Sequence, residues 1–119
     1  MTYIKINDTL YPATVEGKMS DSLWGRRNTK TITLEMDYAT AVELFVDDMV
    51  WSIAIEYPVE VQTLDEEGNT IKETITETEE YDNSDYCVAG PITDNRDGTL
   101  SIKMGKYTNE EILLMEVLA

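Results

Sequence analysis

The stretch VWSIAIEYPVEVQTLDEEGNTIKETITETE, residues 50–79, decides the fold that we expect for this chain. Apolar side chains occupy both faces of its first part, which predicts a central strand over 50–57. We expect Pro58 to interrupt this strand, because proline has no N–H to donate to a sheet. Residues 59–64 and 70–79 then flank the turn-rich segment DEEGN. This arrangement predicts a long β-hairpin.

The return strand of this hairpin is too polar to be fully buried. Ile71 and Ile75 share one face with Glu73 and Glu77, whereas Lys72 and several threonines fill the other face. The pattern predicts an arm that projects from the body of the protein, and the alternative is a partly disordered loop. An arm leaves backbone groups unpaired, and its acids would discourage indiscriminate pairing with other strands.

Working outward toward the N-terminus, alternating apolar and polar residues predict three more strands. They cover 2–7, 9–15 and 29–36. Pro12 places the second of them at an edge or at a bulge. Residues 16–28 between the second and third strands are rich in Gly, Ser and Asp, which predicts a loop. Trp24 lies in this loop, and we favour a loop anchor packed on the sheet over a binding role.

Two helices are predicted, over about 38–48 and about 108–118. Asp37 can cap the first helix, with Thr40 and Glu43 as a competing capping box. Thr108 and Glu111 form a capping box for the second. The second helix is apolar on nearly every side, so it needs burial in its own core or against a partner.

Toward the C-terminus, the pattern predicts a strand over 86–92 that is interrupted at Gly90-Pro91. A turn at Asp97-Gly98 leads into a last strand that begins near residue 100. The fold class is therefore α+β and β-rich, a mostly antiparallel sheet or small β-sandwich with one short helix and a C-terminal helix. We expect a single domain over 1–119, with 59–80 as the projecting arm.

Composition excludes several kinds of function. The chain has 119 residues, with 24 acidic and 9 basic side chains, no His, one Cys and a net charge of −15. The absence of His excludes His-based triads and zinc sites, and a lone Cys excludes an internal disulfide. Direct nucleic-acid binding requires an excess of clustered cations, and this chain has an excess of acids, so we expect no such binding. No apolar run approaches the roughly 20 residues of a membrane span, so we expect no membrane partner.

The charge is distributed unevenly along the chain. Nine acids lie between Asp65 and Asp85 against Lys72 alone, and this segment holds more than half of the net charge. Three cations, Arg26, Arg27 and Lys30, cluster elsewhere. Such asymmetry suits head-to-tail self-association, and a solvated surface is the simpler interpretation.

Little in the sequence points to catalysis, a metal or a cofactor, and we expect none of the three. Cys87 has acidic Asp85 nearby and no basic neighbour, which predicts an inert thiol. The oxygen-rich segments at 82–85 and 94–97 lack the EF-hand pattern, and Asx turns explain them equally well. With 24 acids, some carboxylate pair always looks suitable for hydrolysis, so that signal has almost no specificity.

Several segments resemble small prophage proteins encoded in the tail-assembly regions of siphophages from Gram-positive gut bacteria. They are the opening YIKIN with Tyr11-Pro12, the WGRR loop at 24–27, the strand ITLEM at 32–36 before the short helix, and DGTLSIKM at 97–104. The resemblance implies a structural rather than an enzymatic role. It also implies a β-sandwich with a flanking helix, and often a hairpin arm that reaches a neighbouring subunit.

We therefore expect a phage structural or tail-assembly protein that binds itself or other virion proteins. The candidate interaction residues are Trp24, Arg26, Arg27, Ile71, Glu73, Ile75, Glu77, Leu114 and Leu118. The first alternative is an acidic DNA mimic that binds a basic host enzyme, and the second is a carboxylate-dependent hydrolase. The N-terminus lacks a signal-peptide core, so we expect synthesis in the host cytoplasm, with incorporation into the virion to follow for a structural protein.

Overall fold

Seven antiparallel strands and two helices form the fold, which a computed structural model describes for residues 1–118. In chain order the elements are β1 (Thr2–Ile6), β2 (Thr9–Asp21), β3 (Arg27–Leu34), α1 (Tyr38–Leu44), β4 (Trp51–Leu64), β5 (Thr70–Asp82), β6 (Val88–Asp94), β7 (Leu100–Gly105) and α2 (Asn109–Leu118). The strands lie in the order β5-β4-β1-β2-β3-β7-β6. The predicted α+β, β-rich class with a mid-chain and a C-terminal helix is confirmed.

Strand β2 pairs with different neighbours along its length. Its first residues pair with β1 as far as Pro12, opposite Tyr3, and from Ala13 onward it pairs with β3. In the strand order β2 lies between β1 and β3, but Pro12 pairs with β1 only, so its other side is an edge as predicted. Pro12 is tolerated because it lies where the partner changes. The predicted loop over 16–28 was too long, since β2 continues to Asp21 and β3 begins at Arg27.

The core consists of side chains on one face of the sheet together with Ala41 of α1 and Phe45. It contains alternating side chains of β1, β3, β4 and β7, as the period-two pattern predicted. Its most deeply buried members are Ile4, Ile32, Ala41, Trp51, Ile102 and Met104. Each is at most 1 % exposed, so this part of the fold has a closely packed interior.

Helix α1 begins as predicted and ends earlier. The Asp37 carboxylate accepts the N–H of Thr40 at 3.0 Å and caps the helix. The helix ends at Leu44 rather than at residue 48. After Leu44 the chain turns toward the start of β6. There the Asp47 carboxylate accepts the N–H of Ala89, and the N–H of Asp48 donates to the Cys87 carbonyl.

The hairpin of β4 and β5 is longer and more regular than the sequence predicted. β4 runs through Pro58, which lies opposite Thr76, so the predicted interruption was wrong. The pairing of β4 with β1 stops at Ile55, opposite Thr2, and Met1 still bonds the main chain of Glu56, so β4 has a neighbour on one side only from Tyr57 outward. Proline is compatible with such an edge position. We call residues 59–80, the outer part of this hairpin, the arm.

The arm makes the molecule elongated. The principal extents are 69 × 37 × 25 Å and the Cα radius of gyration is 19.2 Å. A compact domain of this length would have a radius of about 13.5 Å. The fold therefore holds a packed body at one end and a two-stranded arm at the other.

Candidate interaction surfaces

Two surfaces contain most of the residues that the sequence singled out. The first, which we call the arm face, is one side of the arm and consists of Val59, Val61, Ile71, Glu73, Ile75 and Glu77. The second, which we call the α2 groove, lies between the 24–28 loop and the start of α2. Its lining includes Arg26, Arg27, Lys106, Thr108, Ile112 and Leu114, and its volume is about 950 Å³.

The arm face alternates apolar and acidic side chains. Val59 lies opposite Ile75, and Val61 lies opposite Glu73. Ile71 and Ile75 remain 39 % and 41 % exposed. A two-stranded ribbon has no second layer to cover such side chains, so the apolar half of this face stays in contact with water.

At the base of the arm, two tyrosines bind one carboxylate. The Tyr57 hydroxyl lies 3.1 Å from the Glu79 carboxylate and 3.2 Å from that of Glu77. The Tyr81 hydroxyl also donates to Glu79. The hydrogen bond and the negative charge of Glu79, with some loss of hydration, raise the pKa of Tyr57 to about 12. These contacts fix the acids of the arm base in one arrangement.

The tip of the arm is a turn organised by Asp65. Its carboxylate accepts the N–H groups of Glu67 at 2.9 Å and of Asn69 at 2.8 Å. Gly68 has a φ of +83°, a conformation that glycine adopts without strain. The tip therefore has a defined shape that comes from local side-chain chemistry alone.

On the body, a buried carboxylate organises the loop that leads to the α2 groove. Asp21 is fully buried, and its carboxylate accepts from Lys103 at 2.7 Å, from the Leu23 N–H and from Thr29. The Lys103 hydrogen bond is the main cause that lowers the pKa of Asp21 to about 2, and burial opposes it. The main-chain oxygen of Asp21 also accepts two loop N–H groups, so this residue fixes the loop on the sheet.

Trp24 anchors that loop on two glycines. A Cβ added at Gly90 would lie 2.8 Å from the Trp24 ring, and one added at Gly105 would lie 2.9 Å from it. The guanidinium of Arg27 also stacks on the indole, 4.6 Å from a ring centroid. This geometry agrees with the loop-anchor interpretation of Trp24.

Arg27 connects the loop to helix α2. Its guanidinium contacts both carboxylate oxygens of Glu111, at 2.8 and 3.2 Å, and donates to the Lys106 carbonyl. Glu111 accepts the Thr108 N–H, and the Thr108 hydroxyl accepts the Glu111 N–H, which confirms the predicted capping box. The Thr108 N–H and Arg27 together lower the pKa of Glu111. The first turn of α2 is thus tied to the body by a bidentate ion pair.

Beyond that turn, α2 is exposed on every side. Ile112, Leu113, Leu114, Met115, Val117 and Leu118 are between 44 % and 77 % exposed. None of the residues of α2 is buried in the described part of the chain. Apolar side chains exposed around a whole helix are typical of a segment that packs against something else.

Beside the groove, two lysines flank one aromatic ring. The Nζ atoms of Lys30 and Lys106 lie 4.6 and 5.0 Å from the Tyr86 ring centroid. Lys106 also pairs with Asp85 at 2.8 Å, and Lys30 donates to the Asn83 side chain. Partial burial is the main cause that lowers the pKa of Lys30. The cluster ties the start of α2 to the segment that follows β5.

Cys87 and the two oxygen-rich segments, 82–85 and 94–97, have structural explanations. Burial and the nearby Asp48 raise the pKa of the half-buried Cys87 thiol, in the direction predicted for an inert cysteine. Asp82, Asp94 and Asp97 each accept the N–H two residues further on, so Asx turns occupy both oxygen-rich segments. Within residues 1–118, no group of three or more Cys, Asp or Glu side chains is placed to hold a metal ion.

The structure brings the sequence-predicted residues together in two separate groups. Arg26, Arg27 and Leu114 line the α2 groove, Trp24 packs under Arg27, and Leu118 lies at the far end of the same helix. Ile71, Glu73, Ile75 and Glu77 share the arm face. Sequence reasoning missed Asp21, whose partner Lys103 is 82 residues away in the chain. The neighbouring turn residues were its only signal.

Comparison with protein-family models, with curated proteins and with solved structures found no match to this chain. In the described residues, no helix has both the length and the apolar character needed to cross a membrane.

Proposed function

We propose that this protein is a non-enzymatic structural or assembly protein that binds other proteins through its arm and its C-terminal helix. The observation that carries the proposal is the pair of exposed elements outside the core, strand β5 with its partly apolar arm face and the apolar helix α2. Every residue of β5 is exposed, and no residue of α2 is buried. Exposed apolar surface of this extent is typical of protein interaction sites.

The arm supports the proposal through its energetics. An isolated two-stranded hairpin is marginally stable in water at best. Ordering some twenty residues outside the core costs conformational entropy, and the arm recovers little of it by burial. A partner that covers Ile71 and Ile75 would supply the missing apolar contact. The arm is therefore better suited to an assembled state than to the free chain.

The resemblance of the sequence to siphophage tail-assembly proteins suggests the setting. In that setting the protein would assemble in the host cytoplasm, with itself or with other tail proteins, and would become part of the virion or help to build it. The antiparallel sheet with two helices and a hairpin arm is compatible with this role.

Light scattering after size-exclusion chromatography tests the proposal. The wild-type chain should show a molar mass that rises with concentration. A shortened-arm variant, in which residues 60–74 are replaced by Asn-Gly, should remain a monomer because a two-residue turn then joins Val59 to Ile75. As a control, Val50→Asp, at an exposed position outside both surfaces, should associate like the wild type. A wild-type chain that stays monomeric at millimolar concentration, alone and with siphophage tail proteins, would contradict the proposal.

A second candidate function, an acidic DNA mimic, has one observation in its favour. The nine acids from Asp65 to Asp85 lie on or beside an arm that projects from the body. Carboxylates presented in this way could bind the basic groove of a nucleic-acid enzyme. Such binding should weaken steeply between low and high salt, whereas contacts through Ile71 and Ile75 should persist.

A further inference from the structure

We propose that the arm of one copy binds in the α2 groove of a second copy, so that the chains associate head to tail. This inference rests on the proposed function, because it names the partner and the polarity of the same two surfaces. The partner is a second copy of this chain, and the contact joins two different surfaces.

The position of the two surfaces supports a contact between copies. Lys106 and Tyr107, just before α2, bind Asp85 and Asp48, which lie at the root of the β4–β5 hairpin. The arm tip follows Leu64, about 12 residues further along β4 from that root, or about 40 Å at 3.4 Å per residue. The arm tip and the groove therefore lie at opposite ends of the hairpin, and an arm cannot reach the groove of its own chain.

The chemistry of the arm face matches that of the groove. The arm face offers Ile71 and Ile75 with Glu73 and Glu77 between and beside them. The groove offers the apolar Ile112 and Leu114, together with three cations, Arg26, Arg27 and Lys106, and two acids, Glu110 and Glu111. Apolar side chains meet apolar side chains in such a contact, while a glutamate of the arm face meets the positive charge at Arg26.

One cation of the groove is available for a new ion pair. Arg27 is already paired with Glu111, and Lys106 with Asp85. Arg26 is exposed, and among residues 1–118 no carboxylate lies within ion-pair distance of it. In a chain with a net charge of −15, an unpaired arginine beside an apolar groove favours an acidic partner segment.

A symmetric contact between two arms is less favourable because their negative charges repel each other. Two arms placed side by side would bring their glutamates together, and like charges on facing strands are destabilising. A contact between different surfaces avoids this repulsion. It also leaves one free arm and one free groove on each pair, so that the association continues into a ring or an open filament.

A mixing experiment with two full-length variants tests the polarity of the contact. Ile75→Asp should disable the arm, and Leu114→Asp should disable the groove. Both positions are exposed, so the fold should be retained, and circular dichroism with a thermal midpoint checks this. Matched controls place the same charge on Thr76, which is on the opposite face of the arm, and on Leu113, which does not line the groove.

Each variant alone should be a monomer by analytical ultracentrifugation, and an equimolar mixture should form a two-chain complex that grows no further. Both control variants should assemble like the wild type. Arg26→Glu should weaken the association about tenfold. If the wild type assembles but the mixture stays monomeric, or if Leu114→Asp alone still assembles, the head-to-tail contact is overturned while the proposed function stands. A wild type that is monomeric by itself would also overturn the head-to-tail contact, and the proposed function would fall with it only if the chain also failed to bind other tail proteins.

Discussion

The root and the arm of the β4–β5 hairpin have the same secondary structure and very different surroundings. At the root, Trp51 is 1 % exposed, packs among the core side chains and donates its indole N–H to the Tyr86 carbonyl at 3.0 Å. In the arm, the opposed residues Val59 and Ile75 have only their own ribbon for support. The root is held by tertiary packing, whereas the arm is held by the hydrogen-bonded ladder, cross-strand pairs and its turn.

This difference indicates what each part of the hairpin is for. A change at the root affects the free energy of unfolding, because the side chains there fill the interior. A change on the arm face leaves the body intact and affects what the arm can bind.

The largest effect is expected from Trp51→Ala. Removing a buried indole leaves a cavity and an unpaired Tyr86 carbonyl, which should lower the free energy of unfolding by about 3–5 kcal/mol. Tyr57→Ala, six residues outward on the same face of β4, should cost only about 1 kcal/mol because Tyr57 is partly exposed. Urea unfolding followed by circular dichroism measures both values. Equal losses would contradict the distinction between root and arm.

Gly105→Ala should produce the next largest loss. Its Cβ would lie 2.6 Å from Arg27 Cδ and 2.9 Å from the Trp24 ring, which forces the loop anchor to shift. Overpacking of this kind costs about 1–3 kcal/mol. Gly17→Ala is the matched control, because nothing lies within 4 Å of its added Cβ. Thermal unfolding should show a lower midpoint for Gly105→Ala and no loss for Gly17→Ala.

A smaller loss of stability is expected at acidic pH, where the Asp21 carboxylate becomes protonated. Its pKa is lowered from an ordinary 3.8 to about 2 in the folded chain. A lowered pKa stabilises the fold above the ordinary value, and this stabilisation is lost as the pH falls from about 4 to about 2. Asp21→Asn should therefore flatten the stability profile over this interval, and Lys103→Met should do the same in part. Urea midpoints measured at half-unit pH steps test this, and an unchanged slope in Asp21→Asn would contradict it.

The smallest effect on stability is expected from the shortened-arm variant. It removes residues that contribute no side chain to the core, so the free energy of unfolding should change by less than about 1 kcal/mol. Its association should nevertheless be lost, as proposed above. If shortening the arm unfolds the body, the arm is part of the cooperative unit and the comparison fails.

Much of the fold could be predicted from local patterns. Alternation identified the buried face of β3 and β7, and Asp37, Asp97-Gly98 and the Thr108–Glu111 box marked a cap, a turn and a helix start. These signals succeed because each depends on neighbouring residues. The errors arose where distant contacts decide. β4 continues through Pro58 because β1 has already ended, and α1 ends early because its following aspartates bind β6.

Only one of the two candidate surfaces could be predicted from the sequence. The arm face could be predicted because Ile71, Glu73, Ile75 and Glu77 lie at period two in one strand. The α2 groove could not be predicted, because the WGRR loop and the C-terminal helix that form it are more than 80 residues apart in the chain. Nothing in the sequence around Arg27 indicates that this residue binds Glu111. An ion pair between distant segments leaves no local pattern.

The sequence by itself determined the strands, the turns, the caps and the concentration of negative charge near the arm, since all of these follow from residue types at short spacings. The tertiary structure decided which cations are free and where the exposed apolar elements lie. Arg27 and Lys106 are paired with carboxylates that only folding brings near, whereas no carboxylate among residues 1–118 lies within ion-pair distance of Arg26. Folding also places the arm tip and α2 at opposite ends of one hairpin, because the segments around α2 bind at its root. Charge and hydrophobicity are properties of the chain, whereas their availability to a partner depends on what packs beside them.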